Sequence, residues 1–383
     1  SMGAKVIPLG VVPTPAVAYL TRYYKADAGV VISASHNPCE YNGIKFFNSD
    51  GYKLSDGIEN EIESYILGEK AIEELPTHGK VGYVSANHNA VEDYVAFAVS
   101  TIDCRLDGMK IAVDCANGAS YETAFKALNK LGANVEAIHN TPDGVNINHM
   151  CGSTHMESLQ AYVTSIGADI GIAFDGDADR MLAVDENGKL IDGDQIMAAC
   201  AKFMRDNGTL KQNTLVATVM SNLGLFMAGE KIGINIPRTK VGDRYVLEEM
   251  LAKGYNIGGE QSGHIIFLDH NTTGDGLVSA LQFLSVLKKT GMKASEAASI
   301  VTVMPQVLRN AVVKLENKNS YMENEEIAAA CKALEDEFAG EGRVLIRPSG
   351  TEPLVRVMIE GKDEEYITKK AEELAELIEK ILG

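Results

Sequence analysis

Three carboxylates recur at alternate positions in Asp175-Gly176-Asp177-Ala178-Asp179-Arg180, with only small residues between them. Small residues let the backbone curl and turn several hard oxygens toward one cation, and oxygen donors of this kind suit Mg²⁺. Three negative charges so close repel one another unless a cation or base neutralises them, so metal binding is the expectation over a plain charged turn. An EF-hand does not fit. Glu186 stands at the twelfth position, yet the sixth is Arg180, where that loop requires glycine.

Three further loops carry reactive or polar groups. The apolar run ending at Ile32 leads into Ser33-Ala34-Ser35-His36-Asn37-Pro38. A serine at a strand end can act as a nucleophile, although a Ser-His neighbour pair also reads as a polar turn with a helix cap. Gly258-Gly259-Glu260-Gln261-Ser262-Gly263-His264 offers donors and acceptors on a pliant backbone and suits sugar hydroxyls; a glycine-rich turn with a core-facing His264 is the alternative. Arg347-Pro348-Ser349-Gly350-Thr351-Glu352-Pro353, followed by Arg356, gathers guanidinium groups, hydroxyls and backbone amides fit for a phosphate dianion. It lacks the Gly-Lys-Ser/Thr ending of a Walker loop. Smaller clusters are Asn42-Gly43-Ile44-Lys45 and the basic run from Arg238 to Arg244.

These loops need elements to hold them. Short β-branched runs alternate with helical stretches, the pattern of an α/β protein. Strands are expected at 29–33, 109–114, 168–174, 214–220 and 255–258, each ending in a small, polar or glycine-rich turn. Ile367, Ala371, Leu374, Ile378 and Ile381 form a helical stripe after a capping Asp363, and Ile327, Ala330, Cys331, Leu334 and Phe338 form another; both read as core-facing. Polar connections are expected at 77–89, 185–189 and 302–306.

At 383 residues the chain exceeds one ordinary domain. Because three apolar runs end in comparable loops, the expected layout is three similar mixed-sheet α/β domains facing one cleft. The expected boundaries are 1–88, 89–190 and 191–303, with a C-terminal α+β domain over 304–383. A net charge of −18 argues against nucleic acid and anionic membranes as partners. No apolar run is long enough to cross a bilayer. Six cysteines with no Cys-x-x-Cys pair indicate neither a disulfide framework nor a zinc motif, and the expected location is the cytoplasm.

Taken in order, Ser-Ala-Ser-His-Asn-Pro at 33–38, Asp-Gly-Asp-Ala-Asp-Arg at 175–180, Gly-Glu-Gln-Ser-Gly-His at 259–264 and Arg-Pro-Ser-Gly-Thr-Glu-Pro at 347–353 resemble the α-D-phosphohexomutase family along the whole chain. The resemblance implies that Ser35 is a phosphorylated nucleophile and that Asp175, Asp177 and Asp179 bind Mg²⁺ together with the phosphoserine. It implies that His36 and Arg180 add positive charge there and that Lys45 serves as general acid and base. Arg244, Glu260, Ser262 and His264 would contact the sugar phosphate; Arg347, Ser349, Gly350, Thr351 and Arg356 would hold the phosphate that is not reacting. Gln261, Pro13-Thr14-Pro15 and Ala34 resemble the branch that converts glucosamine 6-phosphate to glucosamine 1-phosphate through glucosamine 1,6-bisphosphate, on the way to amino-sugar cell-wall precursors. Turning of the bisphosphate implies that the C-terminal α+β domain, 304–383, is a lid that opens and recloses. Glucose and mannose phosphates are the competing substrates, and a homodimer is compatible.

Family members carry a Gly-Thr-x-Gly-x-Arg-Gly segment well upstream of the phosphoserine loop, whereas 34 residues precede Ser35 here. The expectation is an incomplete first domain with an exposed sheet edge, weakened turnover, or sugar-phosphate binding without turnover. A rival chemistry is a phosphatase using Asp175 as an aspartyl nucleophile, which would leave Ser35 idle.

Overall fold

The computed structural model describes residues 2–72, 75–86, 89–321, 323–349 and 352–383. The chain divides into two compact units. The first comprises 1–221 with 231–300, and the second 222–230 with 301–383.

The first unit is organised by a five-stranded sheet, in the order Asn134–Ile138, Lys110–Asp114, Ile170–Phe174, Met181–Asp185 and Leu190–Ile191. The first three strands are parallel; the last two join antiparallel. Every residue of Ile170–Phe174 and of Met181–Asp185 is buried, as expected for central strands covered on both faces. Helix Glu157–Ile166 sets Leu159 and Val163 into one face, a burial worth roughly 3–6 kcal/mol. The helix lies so close that a Cβ on Gly171 would stand 2.6 Å from Val163 Cγ2. The turn at 185–189 closes a hairpin within the sheet: Asp185 Oδ1 accepts the amides of Asn187 and Lys189 at 2.8 and 2.9 Å, tying the two antiparallel strands together.

Smaller sheets flank this one. Ala28–Ser33 pairs antiparallel with Gly43–Asn48, in a register that sets Ser33 opposite Gly43 and Val31 opposite Lys45. On this pair Val30, Ile32 and Ile44 are more than half exposed. The strand expected over 214–220 is reduced to Ala217–Thr218, because its backbone bonds go to two different neighbours: Val219 N donates to Thr239 O and Val216 N to Ile257 O. Ile257–Gly259 pairs antiparallel with Ile265–Phe267, so the 260–264 loop is a hairpin end. The strands at 29–33, 109–114, 168–174 and 255–258 fall where the residue pattern puts them, within one or two residues.

The second unit is a three-stranded antiparallel sheet in the order Gln306–Val312, Leu354–Glu360, Arg343–Pro348. Helices Glu325–Phe338 and Glu364–Leu382 cover one face. Their stripes are core-facing: Ile327, Cys331 and Leu334 on the first helix and Ile367, Ala371, Leu374 and Ile378 on the second are buried against Val355, Val357 and Ile359. Asp363 caps the last helix by accepting the amide of Tyr366 at 3.0 Å.

Candidate active site

The 175–180 loop joins two buried antiparallel strands, so it is held rigidly at both ends. Ala178 lies in the left-handed region at φ 54°, which curls the loop so that all three carboxylates converge. Asp175, Asp177 and Asp179 are buried, and one ligand oxygen from each lies within 4.8 Å of the others. Asp175 Oδ2, Asp177 Oδ1 and Asp179 Oδ1 are buried without a hydrogen-bond partner. Buried anionic oxygens without hydrogen bonds are costly, and three carboxylates with ligand oxygens this close to one another fit a divalent cation of the hard-oxygen class.

The remaining oxygens are occupied. Lys45 Nζ lies 2.6 Å from Asp177 Oδ2 and 3.4 Å from Asp179 Oδ2. Thr14 donates its hydroxyl to Asp177 Oδ2 at 2.6 Å and its amide to Asp177 O at 2.9 Å. The amide of Arg180 donates to Asp175 Oδ1 at 3.2 Å. Burial, then the charges of Asp179 and Asp177, push the Asp175 carboxyl well above the ordinary range. At Asp179 the upward push of burial is outweighed by His264, Lys45 and Arg180, which hold it far below that range. Burial lowers Lys45, but the carboxylates of Asp179 and Asp177 overcome it and hold the ammonium charged.

Ser35 sits in the turn after Ala28–Ser33 at φ 56°, a strained setting for a serine. Its amide is held by Ser33 Oγ at 2.9 Å. Asn148, distant in sequence, donates from one Nδ2 to Ser35 O and to Asn37 O, both at 2.8 Å. Gly176 makes room for this turn: a Cβ there would stand 2.5 Å from Ser35 O and 2.6 Å from Asn148 Nδ2. The serine turn and the carboxylate loop are thus packed backbone to backbone. Beside them, His36 Nδ1 and Arg180 Nε are buried without a hydrogen bond, Arg180 Nε lying 3.9 Å from Asp179 Oδ1, and burial followed by the Arg180 charge lowers the His36 imidazole.

The 259–264 loop is anchored to helix Gly193–Asp206. Gln261 donates to Asp192 Oδ2 at 3.0 Å, and Asp192 caps that helix in a capping box with Gln195. Gln261, read from sequence as a mark of the sugar branch, therefore spends its side chain on loop anchorage. Glu260 Oε1 accepts the amide of Gly242 at 3.0 Å, and Ser262 is exposed. His264 is buried, with Nδ1 3.7 Å from Asp179 Oδ2 and Nε2 accepting the amide of Gly274 at 3.2 Å. That contact joins the third loop to the carboxylate loop. Arg244 is drawn outward to Asp56 and Glu248. Its neighbour Asp243 turns inward instead, bonded to Lys53 and 3.6 Å from His264 Nε2.

In the second unit Arg347 and Arg356 are directly opposite on adjacent antiparallel strands. Like charges so placed are unfavourable unless an anion joins them. Burial and the Arg356 charge lower Arg347, and Arg356 Nε is buried without a partner. Ser349 is buried, its hydroxyl oxygen taking the amide of Glu352 at 3.2 Å, and Lys318 donates to Ser349 O at 2.9 Å. Gly350 and Thr351 lie outside the described residues. Thr14, Asn148, Asp243 and Lys318 were assigned no role from the sequence. Thr14, inside Pro13-Thr14-Pro15, and Asp243, inside the run from Arg238 to Arg244, stood in segments that the sequence marks out; Asn148 and Lys318 did not.

Four models of the phosphoglucomutase/phosphomannomutase family match in order: alpha/beta/alpha domain I over 1–73, domain II over 91–188, domain III over 192–304 and the C-terminal domain over 311–377. The chain belongs to the phosphoglucomutase/phosphomannomutase family. Within it, the chain is 62% identical to the phosphoglucosamine mutase of Ruminiclostridium cellulolyticum over 379 residues, 99% of this chain and 84% of that protein. It is 62% identical to the phosphoglucosamine mutase of Acetivibrio thermocellus, covering 100% of this chain and 85% of that protein. Solved structures share the fold: a phosphoglucomutase/phosphomannomutase family protein from Burkholderia thailandensis (TM-score 0.80, 21% identity, 98% and 83% of the two chains). A second is Aspergillus fumigatus N-acetylphosphoglucosamine mutase with GlcNAc-6P and magnesium (TM-score 0.70, 19% identity, 97% and 93%). Among the described residues, no helix is long and apolar enough to cross a membrane.

Proposed function

We propose that this chain interconverts glucosamine 6-phosphate and glucosamine 1-phosphate through a phosphorylated Ser35. The observation that carries the reading is the packing of the Ser35 turn on a loop whose three buried carboxylates each keep one bare oxygen. Identity of 62% to phosphoglucosamine mutases supports the amino-sugar substrate.

In the proposed reaction the phosphoryl group leaves Ser35 Oγ for the free hydroxyl of the sugar monophosphate, giving glucosamine 1,6-bisphosphate. After the intermediate turns end for end, its other phosphoryl group returns to Ser35 Oγ. Asp175, Asp177 and Asp179 would hold Mg²⁺, the ion named with the Aspergillus enzyme, which when bound supplies positive charge for the phosphoryl oxygens. A transferring phosphoryl group keeps high charge on its equatorial oxygens, so the protein's task is positioning and electrostatics. Arg180 Nε and His36 Nδ1 carry no hydrogen bond and are assigned to that charge. Lys45 moves the proton of the attacking or departing sugar hydroxyl, once its carboxylate partners are neutralised. Glu260 and Ser262 are assigned to sugar hydroxyls, and Arg347, Ser349 and Arg356 to the phosphate that is not reacting.

Rates with glucosamine, glucose and mannose 6-phosphates, measured side by side with Mg²⁺ and catalytic bisphosphate, test the proposal. Glucosamine 6-phosphate should be turned over fastest, and Ser35→Ala should abolish turnover together with a hydroxylamine-stable phosphoprotein. Faster turnover of glucose or mannose 6-phosphate overturns the substrate assignment. A hydroxylamine-labile phosphoprotein overturns the serine mechanism in favour of an aspartyl phosphate.

A further inference from the structure

A second group of metal-ligating side chains lies outside the site above. Asp114 ends one sheet strand, His139 follows the neighbouring strand, and Cys151 comes from the connection beyond. One ligand atom from each lies within 4.8 Å of the others. Asp114 Oδ1 is occupied by the amide of Ala116 at 2.8 Å, while Oδ2 faces His139 Nδ1 at 2.9 Å. Asp114 and Cys151 are fully buried, whereas the His139 side chain is 31% exposed and opens the group to solvent.

A histidine–aspartate pair alone would not account for the cysteine. Cys151 Sγ accepts a weak hydrogen bond from Asn117 Nδ2 at 3.8 Å, which orients the sulfur toward the pair; burial and the Asp114 charge push its thiol up to about 12, so a cation is needed to draw off the proton. The donor set also differs in kind from the three carboxylates of the active site. Hard oxygens select Mg²⁺, while one thiolate, one imidazole and one carboxylate select a borderline-soft ion. Metal–ligand distances of about 2.0–2.3 Å in a tetrahedron set ligand atoms roughly 3.3–3.7 Å apart, so the His139–Asp114 contact needs to open by only a few tenths of an ångström.

We propose that Asp114, His139 and Cys151 bind one Zn²⁺ ion, separate from the hard-metal loop, with water as the fourth ligand on the exposed side of His139. Binding forms metal bonds to Asp114 Oδ2, His139 Nδ1 and Cys151 Sγ; the proton that His139 Nδ1 shares with Asp114 moves to Nε2 as the imidazole changes tautomer, and the Cys151 thiol proton leaves to solvent. The ion then closes the chain between 139 and 151 into a loop. That loop contains Asn148, whose amide holds the carbonyls of Ser35 and Asn37.

The test uses the full chain under reducing conditions, stripped by chelator, loaded with Zn²⁺ or Co²⁺ alone in excess Mg²⁺, and desalted. Elemental analysis should find one zinc per chain, and the Co²⁺ form should show a thiolate-to-metal charge-transfer band. Both should disappear in Cys151→Ser and in His139→Gln, and both should persist in Asp175→Asn. His139 is partly exposed, so His139→Gln tests the ligand without opening the core; circular dichroism confirms that each variant is folded. Failure of the parent chain to retain zinc overturns the proposal. So does zinc retained by both Cys151→Ser and His139→Gln, or zinc lost from Asp175→Asn while Cys151→Ser keeps it.

Discussion

Replacing Asn148 by aspartate keeps the side-chain shape and the left-handed backbone of this position (φ 58°), which both residue types tolerate, but removes two hydrogen bonds and buries a negative charge in their place. In the native turn one amide group reaches the carbonyls of Ser35 and Asn37 at 2.8 Å each. At about 0.5–1.5 kcal/mol per bond, the clamp contributes about 1–3 kcal/mol. It acts against the left-handed backbone of Ser35, which costs roughly 1–2 kcal/mol for a residue with a Cβ. The two magnitudes are comparable, so without the clamp the strained turn no longer dominates. A carboxylate facing two carbonyl oxygens turns attraction into repulsion. A loss of about 2 kcal/mol corresponds to roughly thirtyfold, so Asn148→Asp should lower kcat by about 10–100-fold while leaving KM within a few-fold. Product formation from glucosamine 6-phosphate, followed by phosphorus NMR at saturating bisphosphate, gives kcat and KM; intact mass gives Ser35 phosphorylation. A kcat within twofold of the parent, or a loss confined to KM, would refute the reasoning.

Three further outcomes follow from packing and charge. Gly176→Ala drives a Cβ to 2.5 Å from Ser35 O, and because backbone on both sides resists, kcat should fall at least about a hundredfold with the fold retained by circular dichroism. Asp175→Asn removes one of three mutually repelling buried charges, so in chelator its melting temperature should exceed the parent's, with the gap closing in Mg²⁺ and turnover lost; an unchanged melt in chelator would contradict the charge argument. In the second unit Glu360 is fully buried and receives Arg343 Nε at 2.7 Å and the amide of Leu223 at 3.2 Å. Glu360→Leu removes the buried carboxylate that pairs with Arg343 and accepts the Leu223 amide, and chemical denaturation should register a loss of about 3–5 kcal/mol.

Much of the candidate site was legible in the sequence because its chemistry is local. Three aspartates at alternate positions, separated by glycine and alanine, mark a turn whose carboxylates can converge wherever that turn is carried, and they do converge. Central strands were legible for the same reason, since a run such as Ile170–Phe174, buried on both faces, must be apolar throughout. The 214–220 segment was less readable: its β-branched residues are extended, yet its backbone bonds are shared between two neighbours that lie later in the chain. Arg244 was singled out by charge, while the inward-facing group of that helix start is its neighbour Asp243.

By itself the sequence determined the reactive residue types, their spacing within each loop, and the faces by which the helices attach, because these are set by covalent order and periodicity. Tertiary structure decided which loops meet. It brought Asn148 to the Ser35 turn across 113 residues, Thr14 to Asp177 across 163, and His264 to the carboxylate loop. It also spent Gln261 on a helix cap and assembled Asp114, His139 and Cys151 from three segments. Hydrogen bonds and ion pairs act over a few ångströms in space, and separation along the chain carries no record of them.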